Sequence, residues 1–185
     1  MATMITADDL FMQNACQYYA TARFAMHAGC APVCGNLFHH AVEMFLKVGL
    51  AQRRELSDLE RMRHKLKEKL WPGFKEDFPN PHLTQHDKTI ACVDKFEDIR
   101  YPDEVLKSGM GVLAVWSGSV GELLRGAEQY VIVVSDIDDL IVDVLKVCSR
   151  NPVAFIGSSN PAVREAITRH NDHALQFLTA WPPPA

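Results

Sequence analysis

Metal chemistry is the first option this sequence raises, because several histidines stand near carboxylates or near one another. His39, His40 and Glu43 fall within five residues. A helix advances about 100° per residue, so His39 and Glu43 share a face while His40 points elsewhere. His82 and His86 have the spacing of a zincin pair, but no glutamate follows His82, as H-E-x-x-H chemistry requires. His170 and His173 flank Asp172. None of these groups is a complete ligand set, so each reads as a structural histidine, and no metal and no other cofactor is expected.

Phosphate binding is the second option. Residues 53–69 hold Arg53, Arg54, Arg61, Arg63, Lys65, Lys67 and Lys69 against Glu55, Asp58, Glu60 and Glu68. On a helical wheel Arg54, Arg61, His64 and Lys65 lie opposite the Leu59/Met62/Leu66 stripe. Such a face is either a solvated surface laced with ion pairs or a phosphate patch. Gly109-Met110-Gly111 and Gly118 to Gly121 match neither glycine-rich phosphate loop. No Ser/His/Asp or Cys/His arrangement stands out. With a formal charge of -4 and a pI near 6.0, the chain lacks an overall basic footprint, and contact with nucleic acid would have to be local.

The elements that must carry these groups are mainly helices. At 185 residues and 48% hydrophobic, the chain can bury one sizeable core. Thr6 with Asp9 forms a capping box that opens a helix to about His27, with Phe11, Ala15, Tyr18, Ala22 and Ala25 on its apolar side. Gly29 and Pro32 break it. A second helix spans about 33–52, a third about 55–70 ending at Trp71-Pro72-Gly73, and a fourth about 83–99. The glycine-rich stretch 105–126 and the run Tyr130 to Val134 form an irregular or two-stranded insert. Ser135 with Asp138 reads as a capping box for a helix to about Cys148, and Asn160-Pro161 opens a last helix to about Leu178.

The expected architecture is therefore a single all-α domain over 1–185, with core helices over about 6–102, an insert over about 103–134 and C-terminal helices over about 135–180. Five cysteines, an odd set without zinc-type spacing, fit a reduced compartment. No signal peptide is visible and no apolar run approaches the roughly 20 residues of a membrane span, so a cytoplasmic location is expected.

The segment Asn36 to Lys47 (NLFHHAVEMFLK) resembles the second-helix signature of HEPN domains. Tyr18 to Ala25 (YYATARFA) resembles that family's first helix. Arg63-His64-Lys65-Leu66 falls at its Gly-His-x-Leu element, and Phe96 to Pro102 (FEDIRYP) is similar to its fourth-helix ending. The resemblance covers about residues 8 to 103. It implies an up-and-down four-helix bundle, usually homodimeric, that binds a nucleotide, RNA or a partner protein such as a nucleotidyltransferase or an antitoxin. The leading expectation is a non-catalytic binding protein whose phosphate contacts are Lys47, Arg54, Arg61, Arg63, His64 and Lys65.

The alternative is a metal-independent endoribonuclease of toxin–antitoxin type. Active members carry an Arg-x(4–6)-His motif, and Arg164-x5-His170 matches it here, although Glu165 stands where many of them have a different polar residue. Arginine would steady a phosphate and histidine would move the ribose 2′-hydroxyl proton. On a continuous helix His170 joins the stripe of Val163, Ile167, Ala174 and Phe177, which makes it a core or interface residue as readily as an acid–base group.

Overall fold

The computed structural model describes residues 5–62, 64–100, 110–118, 128–157 and 159–179. Two long helices form its spine. Helix α1 (Ala7–His27) opens on the expected box: the Thr6 hydroxyl accepts from the Asp9 amide, and the Asp9 carboxylate accepts from the Thr6 amide at 3.2 Å. Its buried stripe centres on Met12, Ala15, Tyr19, Ala22 and Arg23, whereas Tyr18, expected inside, is 37% exposed. A turn at Gly29, with φ of +72°, leads into α2 (Ala31–Leu50). The pairing of α1 with α2 is the most extensive in the fold. Helix α2 is apolar nearly all round and packs against most other elements, as a central helix must.

The third and fourth expected helices are each broken. Helix α3 (Leu56–Met62) stops early, and a π-helical turn (Leu66–Leu70) runs directly into α4 (Trp71–Asp77). Trp71-Pro72-Gly73 therefore begins a helix instead of ending one. The wide turn closes through the Trp71 amide to the Leu66 carbonyl, and Pro72, which has no amide to offer, falls in the first turn of α4. The fourth helix is α5 (Asp87–Asp94) between 3-10 turns at Pro81–His86 and Lys95–Arg100.

Strands β1 (Met110–Val115) and β2 (Glu128–Val133) pair in parallel, Val112 opposite Tyr130. Helix α6 (Val134–Val147) follows, then the short helices α7 (Val153–Gly157), α8 (Pro161–Thr168) and α9 (Ala174–Leu178). The chain is thus mostly helical with a small two-stranded sheet. The Ser135/Asp138 capping box does not form: α6 begins at Val134, the Ser135 amide donates to the Trp116 carbonyl, and Asp138 is buried beneath Arg23. Asn160 does cap α8 as expected, accepting from the Ala162 amide at 2.9 Å.

Cys16, Cys34 and Cys148 are buried and unpaired, and burial pushes the thiols of Cys16 and Cys148 up to about 12. They act as apolar core residues. Among the described residues no helix is long and apolar enough to cross a membrane. The terminal Pro182–Pro184, and Tyr101 and Pro102 of the fourth-helix motif, lie outside the described residues.

One contact seats the fourth-helix segment on α2. A Cβ at Gly35 would lie 2.0 and 2.1 Å from atoms of the buried Phe96 ring, and Asn36 beside it donates to the Phe96 carbonyl at 3.0 Å. Gly35→Ala is expected to destabilise the protein by about 1–3 kcal/mol, because a packed ring must move to admit one methyl group. That cost exceeds the ~1 kcal/mol alanine gains over glycine in a helix. Urea melts of the two proteins decide it, and equal midpoints would show that the two backbones do not approach this closely.

Candidate functional site

Helix α2 carries a ridge of buried polar groups, His39, Glu43 and Lys47, at i,i+4 spacing in an otherwise apolar helix. Buried charge demands partners, and the fold supplies them. Lys47 Nζ donates to Glu43 Oε1 at 2.6 Å, while His64 Nδ1 lies 2.8 Å and His40 Nδ1 3.7 Å from Glu43 Oε2. Burial alone would raise the Glu43 carboxyl, but contacts from His40, Lys47 and His64 outweigh it and hold the group at about 2. The expectation that His40 points away from Glu43 is corrected. At i,i+3 the two side chains are only about 60° apart around the helix.

His39 is wholly buried. Its Nδ1 faces the Val93 carbonyl at 3.3 Å, and a carbonyl only accepts, so Nδ1 carries the hydrogen. Burial disfavours the charged ring and lowers its pKa. The lone pair on Nε2 is left without a hydrogen-bond partner, 3.8 Å from Glu97 Oε2. The His40 ring sits 5.3 Å from Tyr18 and 5.8 Å from His64 by ring centroids. One donor atom from each of His39, His40, Glu43 and His64 lies within 4.8 Å of the other three.

His64 reaches this cluster because the third helix breaks. Helix α3 ends at Met62, His64 stands in a turn, and the next helical segment is started from outside, the Asp94 carboxylate accepting from the Leu66 amide at 3.1 Å and the Lys67 amide at 3.4 Å. His64 projects from that turn and remains half exposed, at the edge of a cleft of about 510 Å³ that Lys65, Lys67, Glu68, Asp94 and Lys95 also line. In the sequence alone, His39, His40 and Glu43 are an incomplete set. The missing member was visible in the Arg63-His64 element, but nothing local pairs it with Glu43.

The break also divides the expected basic face. Arg54 is tied to α4, donating to Asp77 Oδ1 at 2.8 Å and to the Gly73 carbonyl at 3.1 Å. Arg54 and Arg61 border a shallow groove of about 390 Å³ with Lys69, and Arg61 faces Asp58 at 3.5 Å. Lys65 pairs with Glu68 at 2.8 Å on the other cleft, and Lys47 is buried on α2 instead of standing on this face. Arg63 lies outside the described residues.

Arg164 and His170 are not on one helix. Helix α8 ends at Thr168, and His170 follows in a turn with φ of +54°, so the stripe that would bury it does not form. Both residues are exposed. The His170 ring lies 5.1 Å from Trp116 and 6.1 Å from His27. The remaining histidine pairs separate as well: His86 contacts Asp143 at 2.9 Å, His82 is exposed, and His173 contacts Asp139. No family model, no curated protein and no solved structure matches this chain.

Proposed function

We propose that this chain is a HEPN-like helical bundle that acts by binding, holding the phosphate of a nucleotide or RNA in the cleft beside His64. Convergence carries the reading. Three segments that resemble the family's motifs are far apart in sequence, yet Asn36 reaches Phe96, His64 reaches Glu43, and His39 lies beside Glu97. Lys65, in that cleft, stands in solvent against the exposed Glu68 carboxylate, and such a pair is weak enough to exchange for a phosphate. Arg54 and Lys47, by contrast, hold the fold. Glu68, Asp94, Glu97 and Asp98 share the cleft with the lysines, which favours contact with one or two phosphates over a long polyanion tract.

Fluorescence anisotropy with a labelled oligoribonucleotide and with a labelled nucleotide tests this. Binding should weaken with salt at a slope of about one or two phosphates, and Lys65→Glu with Lys67→Glu should abolish it. Binding of neither probe, or binding indifferent to salt, would reject the phosphate assignment and leave a protein partner as the ligand. We propose a homodimer as the working form, which sedimentation in the same buffer reads directly.

The second reading, an endoribonuclease using Arg164 and His170, is favoured by one observation: His170 is exposed and its imidazole adjoins that of His27. Cleavage of RNA by the purified protein, lost in His170→Ala, would establish it.

A further inference from the structure

We propose that His39, His40, Glu43 and His64 form a binding site for a single divalent transition-metal ion of the zinc class. The site does not depend on the phosphate reading.

Three imidazole nitrogens and a carboxylate oxygen are the donors such an ion prefers. A tetrahedral zinc site with bonds near 2.0–2.1 Å spaces its donors roughly 3.4 Å apart. The four donors here all lie within 4.8 Å of one another, so modest side-chain rotation closes the set. The three rings stand edge to face about the carboxylate: His39 and His40 at 89°, His40 and His64 at 79°.

The surroundings point the same way, independently of spacing. His39 is wholly buried, its Nδ1 is anchored on the Val93 carbonyl, and its Nε2 makes no hydrogen bond, the Glu97 carboxylate standing 3.8 Å away. An imidazole fixed through one nitrogen with the other presented is how metal-binding histidines are held. In a purely structural role that buried atom would cost free energy for no return. Glu43 is held in the same manner, Lys47 occupying Oε1 while Oε2 faces the histidines.

The ion would take the place of the hydrogen that His64 Nδ1 shares with Glu43, the neutral imidazole carrying its hydrogen on Nε2 instead. His64, half exposed at the turn after α3, is the ligand that can swing aside to admit the ion from the cleft.

Cobalt(II) is the probe. Chelator-stripped, reduced protein should bind one equivalent, with the strong visible bands of four-coordinate cobalt, and zinc should displace it. His40→Ala and His64→Ala should each weaken binding by at least about 100-fold, beyond the 10–100-fold that an outer partner costs. His82→Ala, at an exposed histidine elsewhere, should change nothing. Zinc should raise the melting temperature of the wild type but not of His64→Ala, whose fold circular dichroism verifies. Absence of saturable binding, or binding that survives both substitutions, would overturn the site.

Discussion

Replacing Arg23 by alanine is expected to destabilise the fold by about 3–5 kcal/mol, the range for removing one partner of a buried ion pair. Arg23 is 0% exposed, yet every side of its guanidinium is engaged. Nη1 donates to both Asp138 oxygens at 2.8 and 2.7 Å and to the Tyr19 hydroxyl at 3.2 Å. Nε and Nη2 reach the Ala166 and Arg169 carbonyls at 2.7 and 2.6 Å, the terminal carbonyls of α8, where a cation is favoured. One side chain thereby ties α1 to α6 and α8. Without it Asp138 stays buried with only the Tyr19 hydroxyl, and two helix-end carbonyls lose their donors.

Burial pushes the Asp138 carboxyl up to about 6, while Arg23 and Tyr19 pull it down. With the guanidinium gone the carboxyl should rise further. A carboxyl whose folded value is raised destabilises the protein while ionised, and that penalty disappears as the pH falls through the raised value. Urea melts of Arg23→Ala should therefore show a larger deficit at about pH 8 than at about pH 5. Arg23→Met combined with Asp138→Leu should recover much of the loss, since an apolar pair leaves no buried charge. A single variant within about 1 kcal/mol of wild type would mean that the network does not hold the C-terminal helices.

The same network explains which parts of the fold the sequence made legible. Helices α1 and α2 could be read because capping, glycine and apolar spacing all agree locally. The last helix could not, because tertiary contacts override its periodicity: Arg23 takes the carbonyls that would continue the ladder. Asn171 then turns the chain, accepting from the His173 amide and donating to the Ile167 carbonyl. The third helix fails for a related reason. Its apolar stripe is genuine, Leu59, Leu66 and Leu70 all being buried, but its second half is capped by Asp94 across 28 residues, a contact that no window of sequence contains.

The site shows the same division. The residue types of His39, His40 and Glu43 were plain, whereas their completion by His64 required the break to be known. Buried polar groups on an apolar helix are costly, and that cost is what marks them. Asp138 and Arg23 discharge it entirely within the fold. His39 does not: its Nε2 makes no hydrogen bond, and one nitrogen of its ring lies within 4.8 Å of a donor atom on each of His40, Glu43 and His64.

Glu43→Gln should be less stable than wild type by on the order of 3 kcal/mol at neutral pH, and the gap should close in acid. The wild-type carboxyl is held at about 2 against an ordinary 4.5. A carboxyl lowered by folding contributes stability that is complete above its ordinary value and is lost as the pH falls through 4.5 towards about 2. Glutamine keeps the shape but leaves Lys47 with no countercharge, so the variant lacks this contribution at every pH. His39 adds an earlier acid loss. Its buried ring is lowered from 6.5, so stability declines as the pH drops below that value, and more so in the variant, which lacks the Glu43 charge that supports the protonated ring. The carboxylate's own share of the difference should be flat from about pH 7 to about pH 5 and shrink only below about 4.5. A difference that shrinks already near pH 6 would show that the contribution does not come from the Glu43 carboxylate.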